Sequence, residues 1–172
     1  EEVSRLVEAA EFLGAGWVRL LARTPLPAPV LAAAANMPEP ADSRLPLLVE
    51  IHHPGWLTPA ALAPLVDLLA SHPGTALLAD TAQLAAQVDP VALGQILDHS
   101  RVLHLSDPGT GLHAPGHATV AELAIERIAA GRHLEVAVEW TGSDRTPAAC
   151  LERYHAACAW WAKFATAGRR DE

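Results

Sequence analysis

The sequence predicts an α/β fold of parallel strands alternating with helices, part of a (β/α)8 TIM barrel with about five strands and their flanking helices. Three observations predict it. Short, nearly continuous apolar runs, as in LPLLVEIH (45–52) and TALLAD (75–80), are the pattern of strands buried on both faces. Helical segments separate these runs, and right-handed crossovers then make the sheet parallel. Four strands end in a potential metal ligand, and these recur 24 to 35 residues apart, close to the roughly 31 residues of one barrel unit.

Residues 2–14 read as an amphipathic helix, with Val3, Leu6, Val7, Ala10 and Leu13 at helical spacing and Gly14 and Gly16 able to end it. WVRLLA (17–22) is a short strand. Six prolines between residues 24 and 46 leave room for one short helix, Val30–Asn36. After LPLLVEIH, Thr58 and Pro59 supply an N-cap and first helical position, and His72-Pro73-Gly74 stops that helix. TALLAD is followed by helical segments at 81–88 and 90–98. RVLHLSD (101–107) is a strand, DPGTGLHAPGH (107–117) a Gly/Pro/His loop, and Thr119–Ala130 a helix. HLEVAVEW (133–140) is the fifth strand. Thr146-Pro147 starts a last helix running to about Thr166, and residues 166–172 read as a frayed tail.

The chain has 172 residues, of which 51% are hydrophobic and 19% charged. That suits one domain, 1–172, with a real core. Twelve basic against twenty acidic residues give a net charge of −8, which argues against nucleic-acid and membrane-surface partners. Two cysteines, Cys150 and Cys158, cannot make a disulfide scaffold. No apolar run suits a membrane span and no signal peptide is visible, so a cytoplasmic location is expected.

The four strand-end groups are Glu50, Asp80, His104 and Glu139. Each lies near the C-terminal end of its strand, where such barrels place their active sites. A charged residue in a buried strand is costly unless it is paired or metal-bound. Three carboxylates and an imidazole suit Mn²⁺, Mg²⁺ or Co²⁺, and Zn²⁺ is admissible. Around them, His52 shares a strand face with Glu50, Arg19 lies mid-strand, and Trp56 and Trp140 flank strand ends where a ring could stack on a sugar. Arg19 either points into the mouth or pairs with a carboxylate there. Asp107 either orients its loop or serves the site. His113 and His117 read as loop surface, His53 as structural, and His155 as helix surface. Trp17, Trp160 and Trp161 read as packing residues, and the cysteines as small buried hydrophobes.

The stretches AEFLGAGWVRL (10–20), LLVEIH (47–52), LLADTAQ (77–83), DPVALGQILDHSRVLHLSD (89–107) and VAVEW (136–140) resemble the xylose-isomerase-like TIM barrels, the sugar phosphate isomerases and epimerases related to endonuclease IV. The likeness runs from about Leu6 to Phe164. It implies that Glu50, Asp80, His104 and Glu139 are metal ligands. It also implies that Glu50 and Glu139 are the catalytic pair that moves a proton at the carbon beside a carbonyl, through an enediolate. The substrate it implies is a small carbohydrate, with His52, Gln83, Asp107, Trp56 and Arg19 as substrate-binding candidates. The sequence departs from the family pattern at Gln83, where a His is usual, and at Pro108, where an Arg is usual. A non-catalytic barrel that binds a small molecule or partner is the alternative function. An endonuclease IV-like hydrolase fits less well, because there is no Asp-x-His and the chain is acidic. The match corresponds to the last five of eight βα units, so a missing N-terminal segment or a homo-oligomer is expected to close the barrel.

Overall fold

A computed structural model describes residues 2–36, 45–86, 89–109 and 111–167. They form an α/β structure whose five strands lie in the order β1-β2-β3-β4-β5: β1 (Val18–Ala22), β2 (Leu47–Ile51), β3 (Thr75–Asp80), β4 (Ser100–Asp107) and β5 (Glu135–Trp140). The ladders β1–β2, β2–β3 and β4–β5 are parallel. Seven helices accompany them: α1 (Glu2–Phe12), α2 (Ala28–Ala35), α3 (Pro59–Ser71), α4 (Thr81–Leu84), α5 (Pro90–Asp98), α6 (Pro115–Ala129) and α7 (Pro147–Ala167). The chain divides into two compact units, Glu1–Leu78 and Ala79–Glu172. No helix among the described residues is long and apolar enough to cross a membrane.

In the first unit, α1 ends at Gly14, whose φ of 69° is the left-handed conformation that glycine adopts without a Cβ penalty. The core is built from Leu31, Leu48, Ile51, Trp56 and the α3 stripe Leu62, Leu65 and Leu69, all under 5% exposed. That i, i+3, i+7 spacing is what turns one helix face inward. Thr58 precedes α3 as expected, but its hydroxyl donates back to the Gly55 carbonyl at 3.0 Å and makes no cap bond. The reason is a 3-10 turn, Pro54–Leu57, which occupies the residues just before it.

In the second unit, β4 is buried from Val102 to Asp107, its apolar Val102, Leu103 and Leu105 together with the polar His104, Ser106 and Asp107. Ala92, Leu93, Ile96 and Leu97 of α5 and Val120, Ala121 and Ala124 of α6 complete the core. At the start of α7, Thr146 does act as a cap: its hydroxyl accepts from the Ala149 N–H at 3.3 Å. Two expectations change here. The loop reading of 107–117 ran too far, because α6 begins at Pro115, with proline in its favoured first position. The cysteines are not buried: Cys150 is half-buried and Cys158 exposed. Part of the 81–88 helix (residues 87 and 88) and most of the 166–172 tail (168–172) lie outside the described residues.

Candidate metal centre

The second unit gathers three of the four expected ligands. Asp80, His104 and Glu139 each offer one donor atom, and these atoms lie within 4.8 Å of one another. Asp80 is both the last residue of β3 and the N-cap of α4. Its Oδ1 accepts from the backbone N–H groups of Ala82 at 2.7 Å and Gln83 at 3.3 Å, which fixes the carboxylate. His104 lies on β4 two residues before Ser106, so both side chains project from the same sheet face. The register places Ser106 beside Glu139 of β5, which brings that carboxylate to the same place. His104 Nδ1 is 3.5 Å from Glu139 Oε2.

Ser106 joins the two acids. Its hydroxyl lies 2.5 Å from Asp80 Oδ2 and 3.0 Å from Glu139 Oε2, and it is 1% exposed. Its backbone N–H donates to the Thr81 hydroxyl at 3.0 Å, which anchors the strand. A serine hydroxyl carries one proton and can donate to only one of the two carboxylates. The other faces an oxygen lone pair of the hydroxyl. His104 Nδ1 is buried with no hydrogen-bond partner. Two carboxylates and an imidazole on a small radius fit a divalent cation of the Mn²⁺, Mg²⁺, Co²⁺ or Zn²⁺ class. Glu139, at 28% side-chain exposure, is the member open to solvent.

The fourth expected ligand, Glu50, sits on β2 in the first unit and is fully buried. The register pairs Arg19 with Leu48 and Leu21 with Glu50, so Arg19 shares the face of Glu50. The Arg19 guanidinium pairs with Glu50 Oε2, and His52 Nε2 lies 3.8 Å from Oε1. Of the two readings of Arg19, the structure shows the carboxylate partner. Trp56 is corrected: it is 1% exposed and its indole N–H donates to the Ala22 carbonyl at 3.0 Å, so it packs in the core and presents no free face to a sugar. His53 is structural, its Nδ1 accepting from Gly55 N–H.

Asp107 organises a loop. Its Oδ1 accepts from Gly109 and Gly111 N–H, each at 2.8 Å, and both glycines have positive φ. Gln83 contributes its backbone N–H to Asp80, and its side chain is half-buried. Two residues that carry the geometry were not singled out, or were misplaced, in the sequence: Ser106 and His117. The signal for Ser106 was the alternation in VLHLSD, which puts residues 104 and 106 on one face. For His117 it was Pro115, which makes His117, Val120, Ala121 and Ala124 one buried stripe. His117 is 7% exposed, with no hydrogen-bond partner of good geometry at either ring nitrogen. Burial holds its pKa below the ordinary 6.5, and the nearby Asp80 carboxylate, the Ser106 backbone and the Asp107 carboxylate oppose that shift only in part.

No protein-family model, no curated protein and no solved structure matches the chain.

Proposed function

We propose that the chain is a divalent-metal-dependent enzyme of the sugar isomerase or epimerase type, on a partial TIM barrel of the xylose-isomerase-like kind. The observation that carries this is the Asp80–His104–Glu139 cluster with one serine proton between its two acids. The motifs that resemble that family support the substrate class, a small hydroxy-carbonyl carbohydrate. Asp80, His104 and Glu139 would hold the cation, which when bound supplies Lewis-acid polarisation of a carbonyl oxygen. Asp80 is the fixed ligand, since two backbone N–H groups hold it. Ser106 keeps Asp80 and Glu139 at a set separation. Glu139, the most exposed of the three, is the group that takes and returns the proton at the carbon beside the carbonyl. The sequence resemblance assigns Glu50 as the second carboxylate of that transfer.

A cation- or small-molecule-binding module without catalysis is the second reading. The ion pair of Glu50 with Arg19 favours it, because a paired carboxylate is a poorer base. Solvent exchange separates the two. In D₂O with Mn²⁺, the enzyme reading predicts deuterium incorporation beside the carbonyl of at least one member of a ketose and aldose panel, abolished in Glu139→Gln. Cation binding with no exchange across the panel would establish the second reading.

A further inference from the structure

Where β4 and β5 begin, the second unit holds a basic pocket. Arg101 is the second residue of β4, and Arg132 and His133 lie just before β5. With Leu97, Asp98 and Ser100 they line a cavity of about 300 Å³. Arg101 stands three residues before His104, so it lies about 10 Å back along the strand and on the other face. The pocket is therefore no part of the cation site. Local structure places each group. Gly131, with a φ of 86°, ends α6, and the N–H groups of Gly131 and Arg132 donate to the Ile128 and Arg127 carbonyls at 3.0 and 2.9 Å. This Schellman turn fixes the backbone that carries Arg132 and His133. The Ser100 hydroxyl donates to the Ile96 carbonyl at 2.7 Å, which ties the start of β4 to the end of α5.

The charge in this pocket is unbalanced. Arg127 spends its guanidinium within the fold, Nε donating to Asp98 Oδ1 and Nη1 to the Leu123 carbonyl, each at 3.0 Å. Gly94 makes room for it, since a Cβ there would stand 2.6 Å from Nη2. Arg132 Nη2 is 4.0 Å from the same Asp98 oxygen, beyond hydrogen-bond reach. Among the described residues, the side chains of Arg101 and His133 have no hydrogen-bond or ion-pair partner. Glu135 does not supply one: it is in register with Val102, on the other face from Arg101. One carboxylate thus stands among three guanidinium groups. The C-termini of α5 and α6 also meet here, each worth about half a negative charge, and a surplus of about one positive charge remains. In a chain of net charge −8, such a local surplus draws an anion. Guanidinium forks match the oxygens of a phosphate group, and the His133 ring adds an N–H donor. The cavity is at the small end of the range of about 300 to 1,000 Å³ for small-molecule sites, which suits a phosphate carrying a few carbon atoms.

We propose that Arg101, Arg132 and His133 form a binding site for a phosphate group, free or as the monoester of a small molecule, separate from the cation cluster and independent of it. The test follows the backbone amide resonances of Arg101, Arg132 and His133 in the ¹⁵N-labelled full chain. No divalent cation is present, so that phosphate bound through a metal is not counted. Inorganic phosphate and glycerol 3-phosphate are titrated separately, with glycerol and sodium chloride at matched ionic strength as controls. Saturable shifts with phosphate or its ester, absent with both controls, are expected. Tighter binding of glycerol 3-phosphate identifies an ester as the ligand; equal or weaker binding identifies free phosphate. Arg101→Gln, a change at an exposed position, is expected to weaken binding about tenfold or more, and Arg101→Lys less. Arg145→Gln removes the same charge from the exposed loop after β5 and is expected to bind as the wild type. Shifts that chloride reproduces, or that never saturate, overturn the proposal. So does an Arg101→Gln chain that binds as the wild type, or one that loses no more than Arg145→Gln. The wild-type titration decides even if a variant fails to fold.

Discussion

Ser106 and His117 show how single side chains set the character of this site. The Ser106 hydroxyl touches both carboxylates and donates its one proton to one of them, and its value is positional: it sits between Asp80 and Glu139. Ser106→Ala is expected to lower Mn²⁺ affinity by about tenfold while the chain stays folded, since loss of such supporting contacts typically costs that much. Isothermal titration beside circular dichroism checks both halves. His117 bears on stability instead. Its folded pKa is below the ordinary value, so the unfolded chain binds the proton first as pH falls. The stability that His117 contributes is whole above about pH 6.5 and is lost as pH drops toward its lower folded pKa. Urea unfolding between pH 7.5 and 5 should show the wild type losing stability, by at most about 1.4 kcal/mol per pH unit from this group. His117→Met should flatten the curve; an unchanged slope would assign the loss to other groups.

At the scale of elements, the strands were legible because a strand buried on both faces is an unbroken apolar run. TALLAD is β3 from end to end, and RVLHLSD is all but the first residue of β4. Helix starts were legible where proline marks the first turn, and misread where loop residues surround it, as at Ala114-Pro115-Gly116. The ligand cluster was legible only in part. Asp80, His104 and Glu139 stand out as polar ends of apolar runs, whereas Ser106 does not, because a serine near a strand end is ordinary. The start of α6 also tests packing. A Cβ at Gly116 would lie 1.8 Å from the Ala85 carbonyl oxygen, a backbone atom that cannot swing aside. Gly116→Ala should therefore cost about 3 kcal/mol. Gly16→Ala, whose added methyl meets nothing within 4 Å, should change stability by no more than about 0.5 kcal/mol. Thermal unfolding of the pair checks the contrast, and equal effects would contradict the tight α4–α6 approach.

For the molecule as a whole, net charge bears on the proposed cation binding. A chain at −8 carries an overall potential that attracts divalent cations, and the proposed site would give that attraction one specific end point. Because the unfolded chain disperses Asp80, His104 and Glu139, bound cation should stabilise the native state by mass action. The gain is about 2.7 kcal/mol at a hundredfold excess over the dissociation constant. Thermal unfolding should move upward with Mn²⁺ and return on adding a chelator, with no change in Asp80→Asn. The cation site is decided by Mn²⁺ binding itself, measured by titration calorimetry on the full chain and on Asp80→Asn and Glu139→Gln. One Mn²⁺ per wild-type chain is expected, with at least about a tenfold loss of affinity in each variant. A folded wild type that binds no Mn²⁺ at millimolar concentration, or variants that bind it as the wild type does, would contradict it.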